Sequence, residues 1–263
     1  MPSAHISELT PGPGERSITY GTSRSGKSAL EDWRHIQVMR ERPECLSIIV
    51  DTKPRYRAVT QRGHFRRGRA DASWRYETWA KGPIVPNSVV MDIHDDKPFA
   101  SLWREPGEVV LMQGDSPVDW RRMLYLIEAF TKAHIKGRER LIRVDEALDF
   151  YGRNTMGIDA KHDVFYRLAR AGGERNIGLM LGAHRVFGIP PLINLMASRM
   201  TLFHLASDAD MKYLNQIGVK DATSPDGDFV FRQWVKEKGG KYGRPFTGRA
   251  EYPQAYLDQL AST

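Results

Sequence analysis

The sequence predicts an α/β protein: a mostly parallel central sheet with helices on both faces, carrying a phosphate-binding loop. Three observations predict it. Apolar runs of strand length alternate with segments of helical spacing, the pattern of a parallel sheet whose strands are buried on both faces. Gly21-Thr22-Ser23-Arg24-Ser25-Gly26-Lys27-Ser28 satisfies G-x-x-x-x-G-K-[ST] at every fixed position. A mostly apolar strand, Leu141 to Val144, runs directly into two carboxylates, Asp145 and Glu146.

The elements follow in order. Residues 1–14 contain Pro2, Pro11, Gly12, Pro13 and Gly14 and read as an arm. Arg16 to Tyr20 is a strand with Ile18 and Tyr20 on alternate positions, and a helix runs from Lys27 to about Arg40 before Pro43 closes it. Leu46 to Val50 is an apolar strand ending at Asp51. The stretch from Thr52 to about Pro86 is polar, arginine-rich and ends in Trp74, Tyr76 and Trp79. A structureless connection of that length is unusual in a compact domain, so an elaborated insertion is expected. Val89 to Met91 and Glu108 to Met112 are strands; Val118 to Lys136, with Leu124, Ile127, Thr131 and Ile135 at helical spacing, packs on the sheet. In the strand Leu141 to Val144, Arg143 interrupts the apolar run and must escape or find a partner. Lys161 to Ala171 is helical and stops at Gly172-Gly173, while Ile177 to Ala183 and Met200 to Leu205 are buried strands. The core domain is placed at 15–235, with the insertion at about 52–86 and a basic tail at 236–263.

With 263 residues, one α/β domain is the economical reading. The lone Cys45 excludes an intramolecular disulfide and any Cys-x-x-Cys site, and reads as core packing. Neither a secretory signal nor an apolar run of membrane-spanning length is visible, so a soluble intracellular protein is expected. The formal charge is +7 and it is concentrated: between positions 53 and 75 eight basic side chains face Asp71 alone. That local excess equals the net charge of the whole chain, and a field so placed suits a phosphate backbone.

The chemistry of the motifs is specific. The two loop glycines allow a tight path, and successive amides together with the new helix N-terminus face phosphate oxygens. Lys27 would reach the β and γ phosphates of ATP and Ser28 would hold Mg²⁺, with Asp145 near the ion through water. Glu146 would orient and deprotonate the attacking water. A second subunit would supply an arginine; Arg170 and Arg175, beside the Gly172-Gly173 break, are the candidates.

In this order the motifs resemble the FtsK/HerA superfamily of ring-forming DNA-pumping ATPases, and within it the compact genome-packaging ATPases of tailless, membrane-containing viruses. The likeness spans roughly residues 16 to 220. Asp51-Thr52-Lys53 stands where that family has Asp-Pro-Lys, and the arginine-rich helix, glycine and apolar strand appear as Arg167 to Ala183. Arg199 to Leu205, followed by Asp208, Asp210, Leu214 and Gly218, looks like the family's late strand and helix. The family's Thr-Gln-Arg is replaced by Ala183-His184-Arg185. His184 is read either as a substitute for the glutamine that senses the γ phosphate or as a histidine satisfied at a strand end.

The resemblance implies a RecA-like P-loop NTPase core, a homohexameric ring, and double-stranded DNA in its channel. It also implies a capsid vertex or membrane protein as docking partner, and a location in the host cytoplasm or at a virion's packaging vertex. Arg62, Arg66, Arg67 and Arg69 are the first candidates for DNA contacts, and Lys236, Lys238, Lys241, Arg244 and Arg249 the second; a docking surface is the other reading of the first cluster. Three further functions stay open: a cellular or plasmid DNA pump, a secretion or scaffold motor acting on protein, and a kinase. The kinase is disfavoured because no small-substrate lid is visible and the Asp145-Glu146 pair suits water activation.

Overall fold

The computed structural model describes residues 9–58, 84–85, 88–94, 107–132, 138–151, 163–205 and 207–250. In chain order the elements are β1 (Arg16–Tyr20), α1 (Lys27–Glu41), β2 (Leu46–Asp51), β3 (Arg57–Ala58), β4 (Ile84–Val85), β5 (Ser88–Met91), β6 (Val109–Gln113), α2 (Pro117–Lys132), β7 (Arg140–Val144) and α3 (Leu148–Tyr151). They continue with α4 (Val164–Ala171), a 3₁₀ turn (Gly173–Arg175), β8 (Ile177–Ala183), α5 (Pro191–Met196), β9 (Arg199–Leu202), α6 (Asp208–Gln216), β10 (Val230–Val235) and β11 (Phe246–Arg249).

The main sheet has nine strands in the order β11-β10-β9-β1-β8-β7-β2-β6-β5. From β9 to β5 every neighbouring pair is parallel, and β10 and β11 add an antiparallel edge. Parallel pairing requires a crossover after each strand, which is why helices alternate with strands here and why both sheet faces are covered. The fold class expected from the motifs is therefore met. A separate pair, β3 with β4, joins the two ends of the arginine-rich segment 59–83.

The two faces differ in chemistry. One carries the main apolar cluster, in which Ile48, Val50, Ile142, Val144, Leu179 and Leu181 of the sheet meet Met123, Ile127 and Phe130 of α2 and Val164, Phe165 and Leu168 of α4. The other lies under α1, whose buried residues include Glu31, Asp32, Arg34 and His35 as well as Leu30, Ile36 and Val38. Each of those four polar side chains finds a sheet partner or shares one. Arg34 donates to Thr19 (3.0 Å), Glu31 (2.9 Å) and Thr201 (2.7 Å), and also to Gln233 of β10. Glu31 accepts from the Thr19 hydroxyl. His35 Nε2 lies 2.8 Å from Ser47 Oγ, and Asp32 accepts from Arg143 (2.5 Å) and Tyr56 (2.7 Å). Buried polar groups cost stability unless bonded, so this interface ties α1 to five strands by geometry as well as by area.

Several boundaries move. The helix expected from Val118 begins at Pro117 and is described to Lys132. The helix expected from Lys161 is described from Val164, where Asp163 caps it by accepting from the Phe165 amide at 2.8 Å. Strand β9 starts at Arg199 and stops at Leu202. Residues 236–250, expected within a basic tail, instead turn through Gly239 and Gly240 and return as β11 against β10. The boundary at 235 thus falls inside a hairpin. Strand β10, one in from the β11 edge, interleaves Arg232 and Gln233 with Phe231 and Trp234 and so lacks the continuous apolar run that marks the central strands. Cys45 is buried, and burial pushes its thiol up to about 12, in keeping with a packing role.

Candidate active site

The loop after β1 is fastened at its root. The Gly21 amide donates to the Ala183 carbonyl (3.1 Å) and the Thr22 amide to the His204 carbonyl (3.0 Å). A Cβ on Gly21 would sit 2.5 Å from Ser25 Oγ and 2.7 Å from Phe203 Cβ, and Gly26 adopts φ +99°, so neither position accommodates a side chain without strain. Arg24 also sits at positive φ (65°), and Phe229, whose ring borders Gly26, does so at 61°. Helix α1 starts at Lys27 without a side-chain cap, which leaves its first-turn amides open. Ser25 Oγ is buried and unpartnered. An uncapped helix start beside an orphaned hydroxyl, bounded by glycines whose Cβ positions are blocked, fits a bound phosphate group.

Parallel pairing puts the other residues beside this loop. Strands β1, β8 and β7 are neighbours running the same way, so the loop, His184 and Asp145-Glu146 all emerge at the carboxyl edge. Glu146 is 5% exposed. Its Oε2 lies 3.9 Å from Lys27 Nζ and 3.1 Å from Nδ1 of the half-exposed His184. Close approach of β8 to the carboxylate strand depends on Gly182, where a Cβ would meet the Asp145 carbonyl oxygen at 2.4 Å. The Ala147 amide donates to the Gly182 carbonyl at 2.7 Å, which fixes the turn carrying Glu146.

Asp145 has a partner that sequence reasoning missed. Arg55 donates from Nη2 to Asp145 Oδ1 and from Nη1 to Ser28 Oγ at 2.8 Å. The residues that would hold Mg²⁺ are therefore brought together by one guanidinium. Their donor set fits a hard cation shared with phosphate oxygens: one carboxylate, one hydroxyl and an adjacent phosphate cradle. Among the described residues no group of three or more His, Cys, Asp or Glu side chains could hold a metal by itself.

A buried charge network lies behind this pair. Asp51 Oδ2 accepts from the Arg55 amide (2.7 Å), the Tyr56 amide (3.1 Å) and Gln113 Nε2 (3.0 Å), and so shapes the turn after β2. Arg143, the residue that interrupted the apolar run, is 1% exposed and pairs with Asp32 and the Tyr56 hydroxyl, both at 2.5 Å. Burial raises the Asp32 and Asp51 carboxyls above the usual range, Arg143 opposing this at Asp32 and Asp145 adding to it at Asp51. Burial works against the charge on Arg143, but Tyr56, Asp32 and Asp145 outweigh it and hold the guanidinium protonated.

Arg170 and Arg175 are exposed and stand elsewhere, in the last turn of α4 and in the 3₁₀ turn that leads into the amino end of β8. That is the opposite edge of the sheet from Lys27, so the chain does not bring them to its own crevice. Arg62, Arg66, Arg67 and Arg69 lie outside the described residues. A signal for Arg55 was present only as one charge among eight; nothing local distinguished it from the rest of that run.

These features are those of a P-loop NTPase fold. Solved structures share it. The DNA-packaging ATPase B204 of Sulfolobus turreted icosahedral virus superposes with a TM-score of 0.54 at 16% identity, covering 91% of this chain and 99% of that one. The genome-packaging NTPase B204 of Sulfolobus turreted icosahedral virus 2 gives 0.57 at 14% identity in complex with sulfate, covering 91% and 98%. In complex with AMPPCP it gives 0.55 at 15% identity, covering 91% and 100%. At these identities the likeness is one of fold. No protein-family model and no curated protein sequence matches the chain.

Proposed function

We propose that the chain is an ATP-driven motor that moves double-stranded DNA, and that its task is to pack a viral genome into a preformed capsid. The observation that carries the reading is Glu146 held between Lys27 and His184 at the edge shared by β1, β7 and β8. A fold in common with packaging NTPases, one of them bound to AMPPCP, supports it.

The residues then divide the work. The amides from Gly21 to Ser28 and the start of α1 bind the polyphosphate, and Lys27 leaves Glu146 to pair with its terminal phosphates. Released from Lys27 and still oriented by His184, Glu146 takes the proton of the attacking water. Ser28, with Asp145 through water, would hold Mg²⁺, which would supply positive charge against the phosphates. Arg170 or Arg175, placed away from its own crevice, completes the site of the next subunit in a homohexameric ring. Arg62, Arg66, Arg67 and Arg69 grip the DNA backbone without reading sequence, as pumping along any genome requires. Docking to a capsid vertex or a membrane protein belongs to the same proposal, as does residence in the host cytoplasm or at that vertex.

The test is ATP turnover with and without duplex DNA. Duplex should stimulate hydrolysis, and Glu146→Gln should keep ATP binding while turnover falls on the order of a hundredfold or more. Replacing Arg62, Arg66, Arg67 and Arg69 together by alanine should weaken duplex binding across sequences and flatten its salt dependence. Turnover indifferent to DNA but raised by an acidic protein would sink the DNA reading in favour of a protein-acting motor. Phosphate transfer to a small acceptor in place of water would sink it in favour of a kinase.

A further inference from the structure

Arg55 is tethered at its base and engaged at its tip. Asp51 holds the amides of residues 55 and 56, and the guanidinium carbon lies 4.9 Å from the centre of the Tyr56 ring. Beyond that base the side chain is one-third exposed, Nε is buried and unpartnered, and the two terminal nitrogens reach Ser28 Oγ and Asp145 Oδ1. Those are the two groups assigned above to a divalent cation, Ser28 directly and Asp145 through a water on the ion. A guanidinium carries positive charge and donors, no acceptors, and so meets the same lone pairs a cation would use. One set of lone pairs cannot serve both the guanidinium and the cation with its water.

We propose that Arg55 is an internal competitor for the divalent cation: its guanidinium bridges Ser28 and Asp145 before nucleotide arrives, and the metal-bound triphosphate expels it. The proposal rests on the assignment of Ser28 and Asp145 as the cation's ligands. Two consequences follow from charge and position. Without a cation the crevice would gather Asp51, Asp145 and Glu146 against Lys27, 3.9 Å from Glu146, and Arg143, 4.0 Å from Asp145, and Arg55 adds a further positive charge directly on Asp145. Once expelled, Arg55 would still hang from the Asp51 turn, next to the Ser28 and Asp145 groups it had bridged. Its backbone leads within two residues to β3, which with β4 closes the base of the arginine-rich segment. Exchange of guanidinium for metal therefore moves a side chain rooted at the foot of the segment proposed to hold DNA.

The experiment measures Mn²⁺ binding to the full chain without nucleotide, from the electron paramagnetic resonance signal of free Mn²⁺. Wild type is compared with Arg55→Gln and Arg55→Met, two neutral side chains of similar reach, so that a folding fault in one leaves the other. Cooperative thermal unfolding selects the variants that are read. Both should bind Mn²⁺ at least tenfold more tightly than wild type, since each frees two acceptors and removes a positive charge. Adding Asp145→Asn to either should abolish the gain. Equal affinities in wild type, Arg55→Gln and Arg55→Met would overturn the competition while leaving the ligand assignment intact. A gain that persists with Asp145→Asn would overturn the ligand assignment itself, and the competition at Asp145 with it.

Discussion

His35 offers a direct measure of how the phosphate-loop helix is held. It is 1% exposed on α1, with Nε2 2.8 Å from Ser47 Oγ of β2. Burial, and then the Arg143 charge, lower its pKa from 6.5 to about 3. The folded chain thus keeps the imidazole neutral at pH values where the unfolded chain protonates it. Stability from this group is complete above pH 6.5 and is lost as pH falls from there toward about 3, by about 1.4 kcal/mol per unit. Moving from pH 7 to pH 5 should cost about 2 kcal/mol through His35 alone, set almost entirely by the unfolded imidazole. That is a large share of the ~5–15 kcal/mol of an ordinary domain. The perturbation is His35→Gln, and the assay is urea unfolding of both proteins at pH 7 and pH 5. Whatever Gln costs in packing appears at both pH values and cancels. Buried carboxyls such as Asp51 and Asp163, raised above the usual range, act in the opposite direction, gaining stability as pH falls, and cancel as well. The variant should therefore lose about 2 kcal/mol less than wild type between the two pH values. Identical losses would refute a buried neutral imidazole.

Three further outcomes follow from the geometry. Asp32→Ala removes the nearest carboxylate from the buried Arg143 guanidinium, leaving Asp145 at 4.0 Å, and should cost about 3–5 kcal/mol in urea unfolding, a loss under about 1 kcal/mol meaning that Asp145 or water takes over the pairing. Gly182→Ala, with its Cβ 2.4 Å from the Asp145 carbonyl, should displace Glu146 and cut ATP turnover, whereas Gly178→Ala, whose nearest contact is the Leu141 side chain at 3.2 Å, should leave turnover near wild type; equal effects would deny the close approach its role. His184→Ala should slow hydrolysis with ATP and ADP affinities unchanged, because His184 touches Glu146 and not the loop; a selective loss of ATP affinity, read by isothermal titration, would return it to sensing the γ phosphate.

What could be read in the sequence is what is encoded locally. Strands β2, β6 and β8 were legible because a strand buried on both faces is a mostly apolar run, broken in β2 only by Ser47, and Gly21 to Ser28 because a phosphate loop is eight consecutive residues. Asp145 and Glu146 were legible as the end of one strand. Helix α1 was visible as a helix but its orientation was not: Glu31, Asp32, Arg34 and His35 look like a solvated face, yet all four are buried. The partners of Arg34 and Asp32 lie far along the chain, Thr201 and Gln233 for Arg34 and Arg143 for Asp32, so no window of sequence contains those pairs. Arg143 signalled that a partner was needed without saying which. Arg55 had no signal at all beyond its charge, since its role depends on where the turn after β2 delivers it.

The same polar interface bears on how a cycle of binding and hydrolysis would be transmitted. Arg34 fixes α1 to β1, β9 and β10, while Asp32 and His35 fix it to β7 and β2, on the other side of the loop's axis. A helix bonded to both halves of the sheet cannot rock on one set of contacts without breaking the other, and each broken bond would leave a buried polar group unpaired. The phosphate loop is thus the stationary part of the crevice. Groups with freedom to respond stand around it: Lys27, which in the proposed cycle would exchange Glu146 for phosphate; His184, half exposed at the end of β8; and Arg55, tethered by its backbone and bonded at its tip. Of these, Arg55 alone sits at the foot of a long inserted segment. Nucleotide-driven motion in this fold is therefore expected to leave through the turn after β2, with the phosphate-loop helix as its fixed reference.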